Sequence, residues 1–221
     1  MNDTAMQIDF EALSAYQRYK LMASLIVPRP IALVTTLGED GVVNAAPFSM
    51  FNMVGEDPPL VMLSVNHHNS QGRLKDTARN ILARREFVVH LPDEGLAEAM
   101  HRCAAECPPE HSELDLTGLH AVPSHSVAVP SIAEAPVAFE CVLHEHLENA
   151  SRHVFFGQVR WLRARDGLVD TSTWRVRLQD YFPVARFGAS FYIRTRDRFA
   201  IDDAPAGAAS SASHHTAIDE I

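Results

Sequence analysis

The residues of this chain best suited to chemistry are those that could hold an anion. Lys75, Asp76 and Thr77 open a predicted helix. Arg29 lies just before the first predicted strand. Backbone N–H groups at a helix N-terminus, together with a hydroxyl and cations, favour a bound phosphate or carboxylate. These residues could converge on one anion, although a plain helix cap flanked by solvated charges would leave the same pattern.

A second group of polar side chains follows the segment 42–52. Asn44, Ser49 and Asn52 alternate there with small residues. Small residues let the backbone approach a flat ligand closely, and amide or hydroxyl groups can donate to or accept from its polar edge. Taken singly, Asn52 is also typical of a turn and Ser49 of a cap. The segment therefore indicates either a ligand-lining hairpin or ordinary turn chemistry.

The histidine and cysteine residues predict no metal site. Structural zinc uses two close pairs of ligands separated by a loop, whereas the richest run here is consecutive and crosses a predicted helix end. That run consists of His101, Cys103, Cys107 and His111. His144 and His146 share one face of a predicted strand, but no third ligand is apparent. His67 and His68 are adjacent and are a further pair of potential ligands.

No catalytic side chain is assigned from motifs. Cys141 lies in an apolar strand pattern and is interpreted as a core residue. No nucleophile elbow surrounds a cysteine, and neither a P-loop nor a G-x-G-x-x-G after a strand is present.

The elements that must position these residues are mainly strands. β-Branched and aromatic runs predict strands at 31–37, 42–46, 60–66, 87–91, 137–148 and 153–164. Helical spacing predicts helices at 75–85 and 95–105. The segment 106–135 is proline-rich and lacks a period, so we expect a long excursion that is functional or covers another part of the fold. The pattern favours a small antiparallel β-barrel with a few helices.

Composition limits the class of protein. A chain of 221 residues with 47% hydrophobic residues is expected to form one domain at 18–201, between an N-terminal arm (1–17) and a flexible tail (202–221). A formal net charge of -9 argues against nucleic-acid binding. No apolar run is long enough to span a bilayer, and the first residues are acidic. With three cysteines and no disulfide framework, a cytoplasmic protein is expected.

The ordered segments of this chain resemble the flavin reductase-like family of FMN-binding split-barrel proteins. The resemblance spans about residues 18–195. It implies a mainly β (α+β) fold, an antiparallel Greek-key split β-barrel with a few flanking helices, with FMN as cofactor. It also implies a terminal strand at 186–192 and a homodimer with each flavin site near the interface. The segments that carry it are 28–36, 38–41, 42–52, 57–64, 75–80 and 186–192.

The resemblance also implies the site residues and the reaction. The matching phosphate-contacting positions include Arg29 and Lys75, and the flavin-lining positions run from Thr35 to Ser64. Hydride would pass from NADH or NADPH to flavin N5, and reduced flavin or electrons would pass to a partner monooxygenase or a small acceptor. The flavin carries that chemistry, so no side chain need act as acid or base. The implied cofactor-binding residues are Arg29, Thr35, Thr36, Asn44, Ser49, Asn52, Ser64, Lys75, Asp76 and Thr77.

Two other functions remain open from the sequence. One is a flavin-binding electron carrier without efficient NAD(P)H turnover, favoured if 106–135 blocks the exposed face of the flavin. The other is an enzyme that keeps FMN as a prosthetic group and acts on a dedicated organic substrate.

Overall fold

A seven-stranded antiparallel sheet forms the body of the protein in a computed structural model that describes residues 5–108 and 110–201. Four helices and a short 3-10 turn at Leu178–Asp180 flank it among these residues. The helices are α1 (Ala15–Leu25), α2 (Asp76–Arg84), α3 (Ala97–Arg102) and α4 (Glu113–Thr117). The strands are β1 (Arg29–Pro30), β2 (Ala32–Leu37), β3 (Val43–Phe48), β4 (Phe51–Glu56), β5 (Pro59–Asn66), β6 (Glu86–Leu91), β7 (Ala121–Val122), β8 (Ser131–Ile132), β9 (Val137–Glu148), β10 (Arg152–Ala164), β11 (Val169–Asp170), β12 (Arg175–Val176), β13 (Val184–Arg186) and β14 (Tyr192–Arg194).

The sheet closes on itself through one bent strand. Its order is β3-β2-β6-β9-β10-β5-β4, and the two end strands follow each other in the chain with only Ser49 and Met50 between them. The first half of this continuous strand pairs with β2 and the second half with β5. The Ser64 N–H donates to the Met50 carbonyl oxygen at 2.9 Å and continues the second pairing through the bend. A closed antiparallel barrel results.

The connection of β6 makes the barrel a Greek key. After β5 the chain passes through α2 and returns as β6, which pairs with β2 and β9 and not with its predecessor β5. The predicted antiparallel Greek-key split β-barrel with a few helices is therefore confirmed. The strand predicted at 137–148 has the observed bounds, and the other five differ by one or two residues at their ends.

The barrel interior is filled by aromatic and branched side chains. Phe87 and Phe155 are fully buried in the largest core cluster. Gly157 makes room for the Phe87 ring, since a Cβ at position 157 would lie 2.3 Å from Cζ of Phe87. The glycine is therefore required by packing inside the barrel.

The excursion at 106–135 contains α4, β7 and β8, which its lack of a period did not predict, and its described part contacts the barrel. A buried histidine ties the two together: the Nδ1–H of His90 donates to the Leu33 carbonyl oxygen, and its Nε2 accepts from the Ile132 N–H, each at 2.9 Å. Burial lowers the pKa of His90 to about 4, so the ring is neutral at pH 7 and can make both bonds.

The C-terminal segment differs from the prediction. Residues 186–192 were expected to form a strand, but they form the turn and inner ends of a hairpin between β13 and β14. Gly188 and Ala189 have positive φ angles of 77° and 40°, which a strand excludes. The Phe187 N–H donates to the Phe191 carbonyl oxygen at 2.9 Å and closes the turn. β13 then pairs with β1, so the hairpin lies beside the start of the barrel.

The N-terminal region is more helical than expected. The predicted boundary of the arm at residue 17 falls inside α1, which begins with a capping box between Ser14 and Gln17. None of the residues of α1 is buried. The predicted tail at 202–221 lies outside the described residues. Within the described part of the chain, no helix is both long and apolar enough to cross a membrane.

Candidate ligand-binding site

A groove follows the end of β3 across the surface of the barrel. It consists of a wide cavity of about 450 Å³ and a narrow one of about 110 Å³, which share Pro47, Phe48 and Ala104. We call the joined cavities the β3 groove. Its wide end is lined by Tyr16, Tyr19, Lys20, Arg29, Arg186 and Tyr192, and its narrow end by Asn44, Lys75, Asp76, Thr77, Glu106 and Glu113.

The narrow end contains the start of α2. The N-cap residue Lys75 makes no side-chain hydrogen bond to the helix, so the first-turn N–H groups at Asp76 and Thr77 have no capping partner from it. The ammonium of Lys75 is half-buried and lies 3.8 Å from a carboxylate oxygen of Glu106. Free N–H groups and a cation at one helix start are the features that bind an anion.

A network of hydroxyl and amide groups fixes β3 to α2 behind the narrow end. The Asn44 amide donates to the Thr77 hydroxyl at 3.0 Å and to the Thr36 hydroxyl at 3.3 Å. Asn80 donates to the same Thr36 hydroxyl at 3.1 Å. Thr36, Thr77 and Asn80 are buried. The helix start therefore has a fixed position relative to the floor of the groove.

The wide end is aromatic and positively charged. The guanidinium of Arg186 lies 4.7 Å from the ring centre of Tyr192, and the Tyr192 hydroxyl lies 2.9 Å from Nδ1 of His101. Two further rings, Tyr16 and Tyr19, come from α1. This end can hold a planar group together with negative charge, which contrasts with the negative charge of the whole chain.

Arg29 belongs to the wide end and does not share a cavity with Lys75. Its guanidinium donates to the carbonyl oxygens of Ala23 and Ile26 near the end of α1, the latter at 2.8 Å, and lies 3.5 Å from the Ser49 hydroxyl. Burial lowers the pKa of Arg29, and the nearby Arg186 adds to that effect. The expected convergence of Arg29 and Lys75 on one anion is therefore not the arrangement in the structure.

The remaining sequence-predicted residues lie outside the groove. Thr35 is buried and its hydroxyl donates to the Pro130 carbonyl oxygen at 2.7 Å, toward the excursion. Ser64 is buried beside the bend that closes the barrel. Asn52 lines a separate apolar cavity of about 650 Å³ between the barrel and the C-terminal hairpin. That cavity meets the wide end of the groove at Ile31.

Sequence reasoning missed Glu113, a buried carboxylate from the excursion. Its Oε2 accepts from the Ala45 N–H at 2.8 Å, and its Oε1 lies 3.3 Å from Sγ of Cys107. Burial raises the pKa of Glu113. The carboxylate holds the middle of β3, which explains how α4 fixes one wall of the narrow end. Only the cap Ser112 before it marks this helix in the sequence.

The cysteine thiols are not activated. Burial raises the pKa of Cys103 to about 11 and that of Cys107 to about 12, and it raises the pKa of Cys141 as well. Cys141 is fully buried, as predicted. A thiolate nucleophile is disfavoured at all three positions.

Comparisons with known proteins identify a family and a relative that the chain matches. A family model described as "Flavin reductase like domain" matches residues 22–180. The chain is 40% identical over 197 residues to an uncharacterized protein, YwrF, of Bacillus subtilis, and this match covers 86% of the chain and 95% of that protein.

Two solved structures are similar in fold and sequence. The 2-nitrobenzoate 2-nitroreductase NbaA of Pseudomonas fluorescens is 38% identical with a TM-score of 0.83, covering 94% of this chain and 100% of its own. Nitrilotriacetate monooxygenase component B from Bacillus cereus is 32% identical with a TM-score of 0.84, covering 90% and 100%. The chain belongs to the flavin reductase-like family of split-barrel proteins.

Proposed function

We propose that the protein binds FMN in the β3 groove and transfers hydride to it from NADH or NADPH. The observation that carries this proposal is the matching of the two ends of the groove to the two ends of FMN. The uncapped start of α2 with Lys75 suits a phosphate, and the aromatic wide end suits a planar ring system. Pro47 and Phe48 line both ends and connect them.

The bound flavin would supply the hydride-accepting chemistry, and the protein would orient it. Lys75 and the N–H groups of Asp76 and Thr77 would hold the phosphate. The Asn44 network would keep that helix start in place relative to β3. No side chain is required as an acid or base for the hydride step.

The wide end is also the proposed site of the nicotinamide cofactor. Lys20, Arg29 and Arg186 place three cations there, and these suit the phosphates of NADH or NADPH in a chain without a Rossmann motif. The similarity to nitrilotriacetate monooxygenase component B supports a partner monooxygenase as the destination of the reduced flavin. A small acceptor is the other possible destination.

A dedicated organic substrate is the second candidate function. The 650 Å³ cavity is almost entirely apolar in its lining and adjoins the wide end at Ile31. Its size is in the range of small-molecule pockets. The similarity to a 2-nitrobenzoate 2-nitroreductase favours the same candidate.

The position of the excursion 106–135 favours a reductase over a simple electron carrier. Among the described residues of 106–135, none lines the wide end of the groove. The excursion instead supplies Glu113 to the narrow end and leaves the aromatic end accessible.

Steady-state oxidation of NADH and NADPH, with and without added FMN, tests the proposal. A reductase that uses diffusible flavin consumes nicotinamide only when FMN is added. An enzyme with resident FMN keeps a flavin spectrum through gel filtration and turns over on addition of an organic acceptor such as a nitroaromatic acid. Negligible oxidation of either nicotinamide under all these conditions would contradict hydride transfer.

A cytoplasmic homodimer remains part of the proposal. Exposed apolar and aromatic side chains on α1, which buries none of its residues, support a second copy covering this helix beside the wide end. They include Tyr16, Tyr19, Met22 and Leu25. Size-exclusion chromatography with light scattering measures the oligomeric state directly.

A further inference from the structure

A cluster of histidines and one carboxylate lies at one end of the barrel and includes no residue of the run His101, Cys103, Cys107 and His111. His67 follows β5, Glu148 ends β9 and His153 lies near the start of β10. One ligand atom from each of the three lies within 4.8 Å of the other two. Among the described residues this is the only group of three or more potential metal ligands that is this close.

The strand register explains why these side chains meet. His153 lies directly opposite Glu148 on β9 and opposite Val65 on β5. Directly opposed residues on antiparallel strands point to the same face of the sheet, and His67 follows Val65 by two positions. The cluster sits above the buried ring of Phe155, whose centre lies 5.9 Å from that of His153. The floor of the cluster is therefore apolar.

The spacing of His67 and Glu148 fits two ligands of one metal ion. Nε2 of His67 lies 3.5 Å from Oε1 of Glu148, and two ligands of a tetrahedral zinc ion lie about 3.4 Å apart. Nε2 of His67 is buried and has no hydrogen-bond partner in the described structure. A buried nitrogen that makes no hydrogen bond, even to a carboxylate 3.5 Å away, calls for an explanation.

We propose that His67, Glu148 and His153 form a binding site for one Zn²⁺ ion. Two imidazoles and one carboxylate are a known zinc ligand set, which leaves the fourth tetrahedral position for water. The site is partly open, since 59% of the Glu148 side chain is exposed, so an ion can enter from solvent.

His146 is the positioning residue of this site. Its Nε2 lies 2.9 Å from Nδ1 of His153, and its ring stacks on Phe155 with the ring centres 4.9 Å apart. This contact occupies Nδ1 of His153 and leaves Nε2 as the free ring nitrogen. Metal-bound histidines commonly use their second nitrogen in this way.

Local spacing does not predict this site, because its residues come from two separate strands and from the segment after a third. No two of them are spaced as a zinc motif in the chain, and only the antiparallel register of β5, β9 and β10 brings them together.

Titration of the full-length protein with Zn²⁺ tests the proposal, with His214 and His215 changed to Ala so that the C-terminal His-His pair does not compete. Calorimetry and elemental analysis after desalting should give about one zinc per chain. Mg²⁺ should not bind, because imidazole ligands suit zinc and not hard oxygen-seeking cations. Glu148→Gln and His67→Gln should each weaken zinc binding by about tenfold or more, and His146→Gln by about tenfold.

One exposed histidine and the cysteine run provide the controls. His68→Gln should leave the affinity unchanged, since it alters a neighbouring ring outside the group of three. Thermal unfolding without zinc checks that each variant folds. Absence of stoichiometric zinc, or binding that survives both Glu148→Gln and His67→Gln, would overturn the proposal. Binding that is instead lost in Cys103→Ser would place the ion at the cysteine run and would also overturn it.

Discussion

Lys75 should decide the discrimination between FMN and riboflavin, because riboflavin lacks the phosphate. Its ammonium is half-buried at the start of α2, next to the first-turn N–H groups. We expect Lys75→Ala to weaken the binding of FMN by about tenfold and the binding of riboflavin much less. The reason is that a charge-assisted hydrogen bond to the phosphate is lost only with FMN. Flavin fluorescence titration measures both affinities.

The matched control removes a cation that lines no described part of the groove. Arg160 is exposed on β10, and Arg160→Ala should leave both flavin affinities unchanged. If Lys75→Ala weakens the binding of FMN and of riboflavin equally, Lys75 does not bind the phosphate.

Gly157 should be the least replaceable glycine of the barrel wall. A Cβ there would lie 2.3 Å from Cζ of Phe87 and 3.2 Å from Cβ of Cys141. Overpacking of this kind costs about 1–3 kcal/mol, so Gly157→Ala should lower the free energy of unfolding by that amount in urea denaturation. Gly95→Ala, whose added Cβ meets only a side-chain oxygen at 3.4 Å, is the control and should change stability much less.

At the scale of elements, His90 should make the attachment of the excursion sensitive to pH. Its pKa is lowered to about 4 in the folded state from an unfolded value of 6.5. The neutral ring therefore stabilises the fold above pH 6.5, and this stabilisation is lost as the pH falls from 6.5 toward 4. The shift corresponds to about 3 kcal/mol.

Urea denaturation across this pH range checks the expectation. His90→Gln should be less stable at pH 7 and should lose less stability than the unmodified protein between pH 6.5 and 4. His68→Gln, at an exposed histidine, should follow the unmodified protein. Parallel pH profiles for the unmodified protein and His90→Gln would contradict the assigned role of His90.

Elements with a strong internal pattern could be predicted from the sequence, and elements defined by tertiary contacts could not. Strand β9 was predicted with its observed bounds because its apolar residues run from Val137 to Leu143 with one interruption at Glu140 and recur at Leu147. Strand β4 was not predicted, since most of its residues are exposed and its pairing comes from the bend at Ser49 and Met50. The hairpin of β13 and β14 depends on pairing with β1, which local spacing does not encode.

The residues of the candidate site also fall into two groups: those marked by a local sequence pattern and those placed by tertiary contacts. Lys75, Asp76 and Thr77 could be predicted because a helix start has a local signature, and the structure places all three in the narrow end. Tyr16 and Tyr19 could not, since their relevance depends on where α1 lies. The capping box at Ser14 and Gln17 was the one local signal for that helix.

At the scale of the whole molecule, the C-terminal hairpin should mark the end of the functional domain. Ending the chain after Asp180 removes β13 and β14, and with them Arg186 and Tyr192 from the wide end of the groove. This protein should neither dimerise nor bind FMN. Ending the chain after Asp202 keeps the hairpin and should preserve both properties.

Size-exclusion chromatography and flavin fluorescence titration compare the two truncated proteins. If the chain that ends at Asp180 still dimerises and binds FMN with unchanged affinity, the domain ends earlier than we propose. If the chain that ends at Asp202 fails in either property, the last residues contribute to the assembly.

The bent strand that joins β3 to β4 also affects how copies of the barrel can associate. It forms both margins of the main sheet, since its first half pairs with β2 and its second half with β5. An open margin offers N–H and C=O groups on which another molecule can add a strand, and this is a common route to aggregation. On β3 such growth is opposed by the excursion, because the Ala45 N–H donates to the Glu113 carboxylate and the Val43 carbonyl oxygen accepts from the Ser112 hydroxyl. These two side-chain hydrogen bonds therefore protect the β3 margin from edge-to-edge polymerisation at high concentration.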